Sequence, residues 1–159
     1  MKSRAKRILD GIKGNVDAVL IFNGTQPMLD MTFYYVTGLV DGIFEGSLAV
    51  IFPDAKVELI TSTLEAESAK KARVKRHIFG SSEERDTIIK DILKGTERIG
   101  INAAELTHKN YLKLKKLLPK RKFVDISEAI QNARMIKDKR EIEYIRLSLI
   151  HISEPTRPY

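Results

Sequence analysis

The 159-residue chain is 43% hydrophobic, enough for one domain of ordinary size with a buried core, which excludes wholesale disorder. Lys and Arg outnumber Asp and Glu by 28 to 21, and there is no cysteine, which excludes a disulfide frame, a thiolate zinc site and a cysteine nucleophile and fits a reducing cytoplasm. The N-terminal MKSRAKRILDGIKG carries charges throughout and is no secretory signal, and no apolar run approaches the ~18 residues of a membrane span.

Ser3 can cap a first helix with Ile8, Leu9 and Ile12 on its apolar side, ended by Gly14 and Asn15. VDAVLIF (16–22) is short, β-branched and apolar on both faces, the pattern of a strand covered on both sides. NGTQP (23–27) is a loop, and TFYYVTG (32–38), SLAVIF (47–52) and KVELIT (56–61) read as three further strands. Pro53-Asp54 joins the last two tightly and predicts an antiparallel hairpin. The rhythm then changes. Thr63 can cap a helix LEAESAKKA; RHIFG (76–80) is a strand; Ser81 and Ser82 lead into EERDTIIKDILKG, a helix closed by Gly95. RIGIN (98–102) is a strand, AELTHKNYLKLKKLL (104–118) a helix and KFVDI (122–126) a last strand. An antiparallel meander followed by parallel crossover units predicts an α/β fold: a mixed sheet with helices on both faces.

The end of this pattern is the informative part. Asp125 or Ser127 begins a helix, SEAIQNARM, with Ile126, Ile130 and Ala133 at helical spacing. The next turn would need an apolar residue among 137–140, which are Lys, Asp, Lys and Arg. Within that break, Asp138 followed three residues later by Glu141 forms a capping box. One helix therefore ends near Met135, an extended piece crosses to Lys137, and a second helix starts at Asp138 with Ile142 and Ile145 on a new apolar face.

No catalytic constellation accompanies these elements. His77, His108 and His151 are far apart and have no partners at ligand spacing, and there is no GxGxxG, P-loop or GxSxG motif. Asp17 and Glu58 lie on neighbouring predicted strands, but a nuclease-type acid cluster needs three or four converging acids and the others cannot be aligned. The cations sit alongside acids (KRILDGIK, LEAESAKKARVKR, EERDTIIKDILK) with no block of five or six, which argues for a Lys/Glu/Ile-rich surface of thermophile type and against nucleic-acid binding.

RMIKDKREIEYIR resembles the hinge sequence of the aminopeptidase P, prolidase and creatinase family, in which an Arg, an apolar residue, Ile-Lys, a capping Ser, Thr or Asp, and Glu-Ile lead into the catalytic domain. Arg134, Ile136, Lys137, Asp138, Glu141, Ile142, Ile145 and Arg146 match in order. FYYVTG (33–38) is similar to the family's aromatic-Tyr-Leu-Thr-Gly strand end, with Val36 in place of Leu, and IGIN with AELTHKNYLKL (99–114) to the stretch before the linker.

The resemblance implies an N-terminal domain over 1–134 with a ribonuclease-H-like arrangement. It makes 135–146, with Arg134, Ile136, Lys137, Asp138, Glu141 and Ile142, the interdomain linker and the start of a pita-bread catalytic domain. In that following domain two Asp, one His and two Glu would hold two divalent metals, manganese or cobalt, that activate water against a peptide bond next to proline. For this chain it implies no catalytic residue and no bound metal or cofactor. Its role would be oligomerisation, as a cytoplasmic homodimer, and restriction of access for proline-containing peptides. The loop with Tyr35, Thr37, Gly38, Asp41 and Phe44 is the candidate access element, with Asp41 and Phe44 offered to substrate. Two alternatives stay open: a stand-alone protein- or nucleic-acid-binding module of the same fold, and the N-terminal domain of a creatinase-type hydrolase. LSLIHISEPTRPY (147–159) is expected not to continue the second helix, since its apolar residues hold no stripe and Pro155 and Pro158 forbid one. It also resembles the conceptual translation of a transposase sequencing-library adapter, which implies a natural sequence ending near Arg146 and a non-native tail.

Overall fold

A six-stranded mixed sheet in the order β4-β3-β2-β1-β5-β6 organises the molecule, whose computed structural model describes residues 3–153. The strands are β1 (Ala18–Phe22), β2 (Leu48–Ile51), β3 (Val57–Ser62), β4 (Lys75–Phe79), β5 (Arg98–Ile101) and β6 (Lys122–Asp125). The helices are α1 (Arg4–Asp10), α2 (Met31–Thr37), α3 (Ser82–Ile92), α4 (His108–Leu117), α5 (Ser127–Met135) and α6 (Lys139–Ser153). β1, β2 and β3 form an antiparallel meander, with Leu20 opposite Val50 and Val50 opposite Glu58. β5 and β6 add in parallel beyond β1, which completes the ribonuclease-H-like arrangement, and β4 adds in parallel at the far edge.

The β1 run is apolar at every position because both faces are covered. Val19 and Ile21 belong to a layer with Ile8, Phe33, Ile51, Leu59, Ile126 and Ile130, beneath α1, α2 and α5. Leu20 belongs to the opposite layer with Leu48, Val50, Ile60, Ile89, Ile99 and Leu114, beneath α3 and α4.

Three expectations are corrected. TFYYVTG is the helix α2, so the sheet has six strands, and the loop that follows leaves a helix rather than a strand. Asp30 caps α2 by accepting from the Thr32 amide at 2.8 Å, and Gly38 closes it in the left-handed region at φ 72. Aromatic and β-branched residues favour a half-buried surface of either kind, and here the caps and the one-sided burial of Phe33 and Thr37 decide for a helix. LEAESAKKA forms two short 3₁₀ turns, Thr63–Glu65 and Ser68–Lys71, because Leu64 is 93% exposed and only the small Ala69 and Ala72 among these residues are buried. The second helix does not stop at Arg146: α6 runs through Leu147 to Ser153, a stretch that holds no Gly or Pro to break a helix already started at the capping box. Pro155 and Pro158 lie outside the described residues.

Candidate functional site

The linker between α5 and α6 is built as the sequence predicts. Ile136 is extended (φ −90, ψ 112), and the Lys137 ammonium donates to the terminal α5 carbonyls of Arg134 (2.6 Å) and Met135 (3.2 Å). The capping box is complete: the Glu141 amide donates to Asp138 Oδ1 at 3.0 Å and the Asp138 amide to Glu141 Oε2 at 2.9 Å.

The box is gripped from across the fold. Arg4 Nε donates to Glu141 Oε1 at 3.1 Å, and Arg7 Nη2 to both carboxylate oxygens at 3.2 Å. Arg7 Nη1 also donates to the Ile136 carbonyl at 3.0 Å. The guanidinium carbons of Arg4 and Arg7 lie 4.9 and 5.4 Å from the centre of the Tyr35 ring, and the Tyr35 hydroxyl donates to the Ala133 carbonyl at 3.0 Å. Tyr35, expected in a substrate-access loop, thus sits at the junction of α1, α5 and α6. Burial pushes the Glu141 carboxyl up, but the Asp138 amide and the two guanidiniums outweigh it and hold the group below the ordinary carboxylate value. Beside this grip a groove of about 520 Å³ runs between α1, α5 and α6, walled by Tyr35, Arg134, Met135, Tyr144 and Ile145. Ile142 is 42% and Ile145 46% exposed, so the new apolar face of α6 has little cover among the described residues.

Arg4 and Arg7 escaped the sequence reading because their acidic partner lies more than 130 positions away. The available signal was two arginines at i and i+3, one face of a helix.

The loop after α2 is held from below. Asn23, fully buried, donates through Nδ2 to the carbonyls of Ile43 and Phe44, both at 2.9 Å, and accepts the Asp30 amide at 3.1 Å. The Tyr34 hydroxyl donates to the Ile43 carbonyl. Gly42 takes φ +93, and a Cβ there would lie 2.7 Å from the Phe44 ring. Thr37 and Gly38 terminate α2: the buried Thr37 hydroxyl donates to the Phe33 carbonyl at 2.8 Å. Asp41 is exposed and paired with Lys71 at 2.5 Å. Phe44, expected to face a ligand, instead has 0% exposure and packs against Phe33 and Tyr34. It is the loop's anchor, and the apolar groups the loop turns outward are Val40 and Ile43.

The acidic pair considered from sequence is not a site. Asp17 accepts the amides of Glu97 and Arg98, both at 2.8 Å, at the start of β5, whereas Glu58 lies two strands away. Glu58 instead meets His77 Nε2 at 2.6 Å and the Lys75 ammonium at 3.2 Å, through the parallel β3–β4 register. Burial raises the Glu58 carboxyl, and its bonds to His77 and Lys75 more than offset that and leave it lowered. This His–carboxylate contact has a lysine where a further ligand would stand. Among the described residues no group of three or more His, Cys, Asp or Glu could hold a metal ion, so this part of the chain does not fit a dinuclear centre. No described helix is long and apolar enough to cross a membrane.

The creatinase/prolidase N-terminal domain family model matches residues 4–136. Among solved structures, the chain is similar to an X-Pro aminopeptidase from Thermotoga maritima MSB8 (TM-score 0.76, 22% identity), covering 91% of this chain and 39% of that one. It is similar to an Xaa-Pro dipeptidase from Bacillus anthracis (TM-score 0.71, 17% identity, 88% and 37% covered). It is also similar to the creatinase/prolidase N-terminal domain of an X-Pro dipeptidase from Streptococcus pyogenes (TM-score 0.58, 17% identity, 74% and 87% covered). The chain therefore spans less than two fifths of the length of the first two. No curated protein sequence matches. The domain match over nearly the whole described fold, ending where the linker begins, establishes that the chain belongs to the creatinase/prolidase N-terminal domain family.

Proposed function

We propose that this chain is the non-catalytic N-terminal domain of an Xaa-Pro aminopeptidase- or prolidase-like protein, whose dinuclear metal chemistry resides in a following domain that α6 begins. One observation carries this reading: the capping box of α6 is clamped by Arg4, Arg7 and Tyr35, so that the first turn of a new element is locked to the finished domain at its edge. A helix with one exposed apolar face needs a further body to bury against. In this reading the clamp sets the orientation of the catalytic domain. The loop bearing Val40, Asp41 and Ile43 narrows the way to its active site, and the domain contributes to a homodimer.

The gene region that follows the capping box of α6 tests the assignment. An open frame with two Asp, one His and two Glu at metal-binding spacing within about 250 residues, a domain-sized extension, supports it, and a frame without that set refutes it. Incubating the chain itself with Xaa-Pro peptides and added manganese tests the non-catalytic assignment; clear turnover overturns it.

A further inference from the structure

The charge of this protein is concentrated in one place. Residues 109–122, KNYLKLKKLLPKRK, hold seven of the 28 Lys and Arg and no Asp or Glu, which leaves 21 cations against all 21 acids in the rest of the chain. The formal net charge of +7 thus equals the charge of α4, the turn after it and Lys122 at the start of β6.

The structure presents these groups outward. Lys109, Lys113, Lys115, Lys116, Lys120 and Lys122 are exposed, while Leu114 and Leu118 are buried against the sheet. Among the described residues none of the seven is paired with a carboxylate, in contrast to Lys6, Lys13, Lys56, Lys70 and Lys71 elsewhere. Lys109, Lys113 and Lys116 recur at i, i+4 and i+7, a single stripe along about 10 Å of helix. A groove of about 420 Å³ between α3 and α4 carries the charge further: Lys113 and Lys116 line one side and Arg85 and Lys90 the other, with Asp86 the one acid, itself paired with Arg85 at 3.1 Å. α3 and α4 cover the sheet face opposite to α1 and α5, so this surface is separate from the α6 junction.

From these observations we infer that α4 and the α3–α4 groove form a binding face for the phosphate backbone of a nucleic acid, without sequence readout. Lysines present compact point charges suited to phosphates. The one large apolar side chain exposed on the segment is Leu112, and Tyr111 is half-buried against Phe123. Outside the groove, whose floor carries Phe22, Ile89, Leu114 and Leu117, the segment therefore offers no apolar stripe to insert into a bilayer and no aromatic platform to stack bases.

Fluorescence anisotropy of the chain with a 30-base-pair duplex of random sequence, at 50 and 200 mM salt, tests the inference. Each neutralised phosphate contributes about −0.9 to the slope of log K against log salt, so contacts from Lys109, Lys113, Lys116 and Lys120 give a slope near −3.6 and about 150-fold weaker binding at the higher salt. The triple change Lys109→Glu, Lys113→Glu and Lys116→Glu should reduce binding at 50 mM salt at least tenfold, with Lys→Gln at the same positions as the gentler version should the first not fold by circular dichroism. Reversing Lys13, Lys56 and Lys70 alters net charge equally and should leave most of the binding intact. The inference falls if the duplex does not bind at 50 mM salt, if the two triple reversals weaken it equally, or if anionic phosphatidylserine vesicles are bound and the duplex is not.

Discussion

Replacing Arg7 by Ala removes the centre of the junction. Arg7 makes two contacts to the Glu141 carboxylate at 3.2 Å and one to the Ile136 carbonyl at 3.0 Å, and it covers the Tyr35 ring. Hydrogen bonds involving a charged group contribute about 1.5–3 kcal/mol, and stripping a buried carboxylate of its only partner costs about 3–5 kcal/mol. Glu141, with its side chain 13% exposed, would keep Arg4 and the Asp138 amide, which places the loss at about 2–3 kcal/mol. The penalty falls on docking of the α6 start, not on the sheet, so its opening equilibrium should rise by about 30- to 150-fold. Amide hydrogen exchange reads this directly. The amides of Glu141 and Ile142, bonded to Asp138 Oδ1 and to the Asp138 carbonyl, should exchange faster by that factor, while β1 and β2 amides keep their protection. Arg7→Lys retains the charge without the fork or the stacking and should recover only part of the effect. Unchanged exchange at residues 141 and 142 in a folded Arg7→Ala protein would refute the clamp, as would uniform acceleration across the sheet.

Other expectations follow from the same contacts. Asn23→Ala leaves the buried Asp30 amide without its partner and the Ile43 and Phe44 carbonyls with only the Tyr34 hydroxyl and the Ser47 amide, and should cost about 1–3 kcal/mol in urea unfolding; a loss under 1 kcal/mol contradicts the loop-clamp role. Phe44→Ala should cost about 3–5 kcal/mol, as expected of a core anchor, and a near-neutral change would return Phe44 to the surface role read from sequence. The Glu141 carboxyl lies lower in the folded than in the unfolded chain, so the unfolded chain binds more protons between the two values and stability rises with pH there. That contribution is complete above the ordinary value of 4.5 and is lost as pH falls through the depressed folded value. Protection of the Glu141 region should fall on that acid limb, and Glu141→Gln should flatten it; parallel pH profiles for the two proteins would count against the assignment.

What the sequence alone determined was whatever depends on near neighbours in the chain. The capping box needs only residues 138 and 141, three apart, and it formed with both reciprocal bonds. The β2–β3 hairpin needed only Pro53-Asp54 between two apolar runs, and the buried strand β1 only its unbroken apolar pattern. TFYYVTG shows the limit. Its composition favours a strand, the preceding Asp30 and its own final Gly38 favour a helix, and the outcome was settled by Phe33 burying one side of a helix against the sheet. Tertiary structure alone decided that Arg4 and Arg7 meet Glu141, that Asn23 holds the Ile43–Phe44 backbone, and that Glu58 faces His77 rather than Asp17. Each of these pairings joins residues distant in the chain through strand register or helix docking, and neither composition nor periodicity encodes such a meeting until the sheet order exists.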